Sequence, residues 1–165
     1  AEALLRAGQA PVDVEKMPVG ARLEFVATAE GFVPRRVVVP SGATWYHGAD
    51  GKPRFETAVQ LEKSRAKSGA NDPWPAAEPG SEVGGQGPPG TVHVVTTPRG
   101  AEVWMLAGIG PEVRIEQLRC DRDIEVLLAG PTTFRRRVRV AASDFHATSD
   151  GADAAEGKIA RVSAK

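Results

Sequence analysis

The sequence predicts an all-β protein: two small antiparallel β-sandwich repeats joined by a Pro/Gly-rich linker. Three observations predict it. The chain carries an internal duplication, its apolar side chains alternate with period two inside that duplication, and 18 Gly and 13 Pro punctuate it too often for long helices. A length of 165 residues suits one ordinary domain or two small ones.

The duplication aligns Val12–Val39 with Val113–Val140 at an offset of 101 without a gap. Seven of these 28 positions are identical: Val12/Val113, Glu15/Glu116, Glu24/Glu125, Arg35/Arg136, Arg36/Arg137, Val37/Val138 and Val39/Val140. Chance would give roughly two at average residue usage. Apolar positions match as well, as in Val14/Ile115, Met17/Leu118, Leu23/Ile124 and Phe25/Val126. One inserted residue carries the match upstream, setting Ala1-Glu2 on Ala101-Glu102, Ala7-Gly8 on Ala107-Gly108 and Pro11 on Pro111.

Within each copy the elements follow from alternation and turn chemistry. Ile124, Val126 and Leu128 alternate with Glu125, Leu127 and Ala129, the mark of a strand with one buried face. In the first copy the inward set is Leu23, Phe25, Ala27, Val37 and Val39. Met17-Pro18-Val19-Gly20 and Leu118-Arg119-Cys120-Asp121 each lead into a strand, and Glu30-Gly31-Phe32 separates two others. Asp50-Gly51 and Asp150-Gly151 are tight-turn dipeptides, and a last strand is expected after each, at Thr57–Glu62 and Lys158–Ser163. Ala1–Arg6 could mimic a helical turn, but its counterpart Ala101–Leu106 sits where a strand is expected. The expected division is residues 1–63, a linker at 64–89, and residues 90–165.

The second copy opens with an extra strand, Thr91–Thr97, ahead of Ala101. Ala1 is the counterpart of Ala101, so the first copy starts without that strand and its sheet is expected to have an open edge. Candidates to cover it are Glu82–Gly87, Gly157–Lys165, a strand from a second molecule, or residues upstream of Ala1, the last being the simplest. The linker is built of proline, glycine and small residues and cannot form a core. Trp74, between Pro73 and Pro75, is its exception and a candidate to dock on a repeat.

The 21 basic and 21 acidic residues balance, which argues against a nucleic-acid binder. No stretch reaches the ~20 apolar residues of a membrane span. Ala1–Arg22 contains no apolar run behind a basic start, so no signal peptide is read there. The single cysteine, Cys120, excludes an internal disulfide and a cysteine-based metal site.

Catalytic and metal-binding patterns are weak. His93 alternates with Val92 and Val94 and is expected to face solvent. Asp144 and His146 share a strand face, as two ligands would, but no third ligand is fixed. Asp150–Glu156 offers three carboxylates without calcium-loop spacing. Ser143-Asp144-Phe145-His146 holds triad residue types, yet a triad is a spatial relation. No catalytic residue, metal or cofactor is expected.

Two surface features remain. Arg135, Arg136, Arg137 and Arg139 form the sharpest charge cluster, expected on an edge strand kept unpaired by charge. They are also the candidate contacts for an anionic partner such as a cell-wall polymer, lipid headgroup or acidic protein. Val26 and Val38 fall on the expected outer face of the first copy and make a candidate packing patch.

The run Gly90–Trp104 resembles the opening of PEGA domains, named for a Pro-Glu-Gly-Ala tetrapeptide that here reads Pro98-Arg99-Gly100-Ala101. Gly108 and Pro111 follow at the places the family uses, then a short apolar hook ending at Leu118. Pro18-Val19-Gly20 and Glu30-Gly31-Phe32 match its closing pattern in the first copy. The chain departs from it at Arg99, at Ala107 in place of an aspartate, and at Gly130–Phe134.

The resemblance implies small β-sandwiches of bacterial envelope proteins and of the extracytoplasmic ends of some serine/threonine kinases, without enzyme activity. The expected function is thus a non-catalytic binding or spacer module of the cell envelope, contacting protein or cell-wall polymer. No glycine-rich loop with a following lysine and no His-Arg-Asp loop occurs, so any kinase would lie outside this chain. The alternative is a structural assembly protein whose first repeat takes a strand from a partner.

Overall fold

The computed structural model describes residues 2–65, 74–75, 77, 87–110, 113, 115, 123–130, 135–144, 146–147 and 158–159. The described part is an all-β sandwich-like fold. Its strands are β1 (Glu2–Gln9), β2 (Val12–Pro18), β3 (Leu23–Thr28), β4 (Arg35–Val39), β5 (Tyr46–His47) and β6 (Pro53–Gln60). They continue with β7 (Pro89–Thr97), β8 (Glu102–Ile109), β9 (Ile124–Ala129), β10 (Arg135–Val140), β11 (His146–Ala147) and β12 (Lys158–Ile159). The one helical element among the described residues is a 3-10 turn at Ala142–Asp144.

Six strands form one sheet in the order β10-β9-β1-β8-β3-β4, four form a second in the order β2-β7-β6-β5, and β11 and β12 pair separately. The six-stranded sheet has an approximate two-fold axis of pairing. Its centre is the antiparallel pair β1 and β8, where the counterparts Leu5 and Met105 stand opposite each other. On one side Leu4 pairs with Leu127, and on the other their counterparts Trp104 and Val26 pair. The same mapping takes Ala129–Arg135 in β9–β10 onto Thr28–Pro34 in the sequence, so β3–β4 and β9–β10 are matching hairpins. Each repeat therefore places its first sheet strand beside the other repeat's hairpin.

The pairing crosses the boundary expected between residues 1–63 and 90–165. It also corrects the expectation about the open edge. β7, the second copy's opening strand, runs antiparallel to β2 and parallel to β6, and so completes the first repeat's sheet from within the chain. The parallel pair departs from the expected all-antiparallel arrangement. A parallel neighbour needs a long crossover, and the segment from Leu61 to Pro88 provides one.

Local chemistry explains the hairpins. Gly51, at φ 78°, donates its N–H to the carbonyl of Gly48 at 2.9 Å and turns the chain from β5 into β6. The β6 strand starts at Pro53, four residues before the expected Thr57, because the turn closes as soon as Lys52 binds Gly48.

The main core lies between the two large sheets. Leu23, Phe25 and Ala27 of β3, Val39 of β4 and Val103 of β8 face Val14 and Met17 of β2, Val59 of β6, and Val92 and Val94 of β7. Burying each large side chain contributes about 1.5–3 kcal/mol, so the two β7 valines tie the repeats together strongly. The opposite face of the six-stranded sheet carries a second cluster: Leu4, Val26, Trp74, Trp104, Leu106, Leu127 and Ala129. Leu127 and Ala129 are buried there, whereas alternation assigned them to a solvated face.

Candidate functional site

That second face is closed by a segment of the same chain. Trp74 is buried against it and donates its indole N–H to Glu2 Oε2 at 2.8 Å. This linker tryptophan, isolated between prolines, was a candidate to dock on a repeat, and it does so. Beside it, Arg36 Nε donates to the carbonyl of Pro75 at 2.8 Å. The same guanidinium binds Glu24 through Nη1 at 2.9 Å and Glu2 through Nη2 at 2.5 Å. Arg36, Glu2 and Glu24 have side chains that are 8%, 10% and 2% exposed, so the network is a buried one. Arg22 adds a second cation on Glu24 at 2.5 Å.

The two-fold mapping repeats this network on the other half. Arg137, counterpart of Arg36, donates to Glu125 at 2.6 Å and to Glu102 at 3.1 Å, the counterparts of Glu24 and Glu2. Hydrogen bonding to Glu125, with Glu102 adding to it, holds the Arg137 guanidinium above its ordinary pKa. Arg6 approaches the same two carboxylates at 3.3 and 3.6 Å. This second network is more open, with Arg137 47% exposed. Its guanidinium lies 5.3 Å from the ring centre of Trp104, and that of Arg135 lies 5.3 Å from the ring centre of Trp74.

The arginine cluster therefore sits where expected, on the edge strand β10 of the sheet. Arg135, Arg137 and Arg139 share one face by period two, and Arg136 joins Val138 and Val140 on the other. Arg139 binds Asp123 Oδ2 through Nε at 3.0 Å and Nη2 at 2.5 Å. The Asp123 carboxyl is held below its ordinary pKa, first by the Ala142 N–H and then by Arg139. An anionic partner at Arg137 or Arg139 would compete with internal carboxylates. Arg136 is exposed.

The packing patch expected from Val26 and Val38 is corrected. Both lie on the second face, but Val26 has no exposed surface because it packs in the cluster that Trp74 caps. Val38 is half-buried. The chain thus covers this apolar site with its own linker.

A second row of polar groups crosses the outer face of the four-stranded sheet. His93 of β7 stands between Asp13 of β2 and Glu56 of β6 in the strand register. Its Nδ1 lies 2.5 Å from Asp13 Oδ1, and Arg54 Nη2 donates to that same oxygen at 3.0 Å. Tyr46 Oη donates to Glu56 Oε1 at 2.8 Å, which raises the phenol's pKa. The His93 side chain is 27% exposed, consistent with the outward face expected of it. Arrangement along one solvated sheet face makes this a charge ladder between strands.

Among the described residues no group of three His, Cys, Asp or Glu side chains converges as a metal site. The side chains of Asp144 and His146, the Asp150–Glu156 turn and Cys120 lie outside the described residues. Among those described, no helix is long and apolar enough to cross a membrane. Comparison with family models, with curated proteins and with solved structures returned no match for this chain.

The buried ion network went unread because charged strand positions were assigned to solvent. A signal was present. Glu2/Glu102, Glu24/Glu125 and Arg36/Arg137 recur in both copies, and all three members of each network are among the duplicated residues.

Proposed function

We propose that the chain is a non-catalytic binding or spacer module of the bacterial cell envelope, carried at the extracytoplasmic end of a larger protein such as a serine/threonine kinase. The exchange of β1 and β8 between repeats carries this reading. It joins both repeats through one continuous six-stranded sheet, which suits an element that holds position rather than one that opens around a substrate. The PEGA resemblance supports the envelope location, and the absence of enzyme activity is part of the proposal. The β10 arginines Arg135, Arg136, Arg137 and Arg139 are the proposed contact for an anionic cell-wall polymer, which would exchange with the internal carboxylates on Arg137 and Arg139.

The test has two arms. Protease treatment of spheroplasts carrying the tagged parent protein should cut this segment, and protection by an intact inner membrane would sink the location. Purified protein should sediment with isolated cell-wall sacculi at low salt, and an Arg136→Ser/Arg139→Ser variant should sediment several-fold less.

The second reading is an assembly protein built by strand exchange between molecules. It draws on the same β7 donation, seen here within one chain. Light scattering distinguishes them: a stable oligomer at micromolar concentration supports assembly, and a monomer supports the module.

A further inference from the structure

The two ion networks match in their internal hydrogen bonds. The terminal nitrogens of Arg36 bind Glu24 and Glu2 Oε1, and those of Arg137 bind Glu125 and Glu102 Oε1. In the first network two further polar atoms hold the connecting segment. Glu2 Oε2 accepts the Trp74 indole N–H, and Arg36 Nε donates to the Pro75 carbonyl. In the second network the same two atoms are unused. Glu102 Oε2 is buried without a hydrogen-bond donor. Both Arg137 bonds leave from its terminal nitrogens, so Nε has no acceptor among the described residues. Buried polar atoms are nearly always satisfied, and an exception calls for a reason.

The surroundings leave this second network within reach of solvent. Arg6 and Arg137 are exposed, and Glu102 and Glu125 are half-buried. Trp104, counterpart of Leu4, is buried beneath, with the Arg137 guanidinium over its ring. Arg6 stands where the first half has Leu106, a member of the cluster around Trp74. Its Nε is 3.6 Å from Glu102 Oε2, too far for a hydrogen bond, and 3.3 Å from Glu125.

We propose that the Arg137–Glu102–Glu125 network is a second docking site, for a tryptophan-proline step of a partner polypeptide. The partner's indole N–H donates to Glu102 Oε2, and the carbonyl of its next residue accepts from Arg137 Nε. Arg6 turns onto the nearer Glu125 and meets the incoming ring as a cation. The related site names the occupant, because Trp74-Pro75 fills the same pair of polar atoms there. The chain's own three tryptophans all pack in its two apolar clusters, so the occupant comes from another molecule. This site goes beyond the envelope reading and does not depend on it, since binding is measured on the purified chain.

The probe is the acetylated and amidated peptide Asn-Asp-Pro-Trp-Pro, the chain's own sequence around Trp74, titrated into the full chain by calorimetry. A second peptide carries phenylalanine for tryptophan, which keeps a ring and removes the N–H. Saturable binding of a single peptide per chain is expected. The phenylalanine peptide should bind about tenfold more weakly, the loss of one hydrogen bond to a charged group. Glu102→Gln and Arg137→Ala should each weaken the tryptophan peptide by a similar factor. Arg137 is exposed, so its variant keeps the fold and gives a reading even where Glu102→Gln does not. Absence of saturable binding would overturn the site, as would equal affinity for both peptides. Binding unchanged by either substitution would place the peptide at the Trp74 site by displacement and would equally overturn it.

Discussion

Glu2 and Trp74 share a hydrogen bond of 2.8 Å, although one opens the first strand and the other lies in the connecting segment. The bond fastens that segment over the apolar centre of the six-stranded sheet. Removing the indole opens a cavity and leaves Glu2 Oε2 without its donor, while Oε1 keeps Arg36.

Trp74→Ala should therefore destabilise the protein by about 3–5 kcal/mol, the range for deleting a buried large aromatic side chain. Trp74→Phe should cost less, because the ring packing survives and only the Glu2 bond is lost. Urea denaturation of both variants checks the order.

The two ion networks are related by the same two-fold mapping but differ in burial, which separates two effects. Arg36→Ala leaves buried Glu2 without its cation, while Glu24 keeps Arg22, and should cost about 3–5 kcal/mol. Arg137→Ala removes an exposed guanidinium from half-buried partners that keep Arg6 nearby, and should cost no more than about 1 kcal/mol. Equal losses would show that burial does not govern these contacts.

Tyr46 is the chain's one tyrosine, so its ionisation can be followed by tyrosinate absorbance. Its pKa is raised, first by the hydrogen bond to Glu56. The midpoint should lie above the ordinary value of about 10, and Glu56→Gln should bring it down. A raised folded pKa favours the protonated form. Its stabilisation is thus complete below the unfolded value and is lost as pH rises through the folded one.

Asp123 gives the opposite sign. Its carboxyl is held low by the Ala142 N–H and by Arg139. The stabilisation is complete above the unfolded carboxylate value near pH ~4 and disappears as pH falls through the folded value. Asp123→Asn should flatten that part of the acid limb in a stability-versus-pH measurement.

Because β1 and β8 cross between repeats, unfolding should be one transition instead of two. Calorimetric and van't Hoff enthalpies should agree for the whole chain. Two resolved transitions would contradict a shared sheet.

Strand positions were legible because period-two alternation and turn residues are local properties. β3 and β9 occur where Leu23–Ala27 and Ile124–Leu128 placed them. Pairing was not legible. Leu5 carries no local mark that distinguishes Met105 from any strand of its own repeat, and alternation assigns faces without naming neighbours. Leu127 and Val26 were read as outward for a related reason. Alternation marks two faces, but it cannot foresee that a tryptophan about fifty residues away will cover the second one. Of the candidate site, the arginines lie on the edge strand of the described sheet as alternation suggested, while their carboxylate partners, all in the same copy, depended on strand neighbours that alternation does not name.

The exchange of β1 also governs the order in which the protein can be made. During synthesis β1 emerges first, but its pairing partners β8 and β9 lie about 100 and 120 residues further on. At about 5–20 residues per second, β1 waits roughly 6–24 s for its complete sheet. Until β7 leaves the ribosome, Leu23, Phe25 and Val39 lack Val92 and Val94, the two valines of the middle strand that face them. The N-terminal half thus spends those seconds with its hairpins formed but its inner face only partly covered, an apolar surface exposed to neighbours on the polysome.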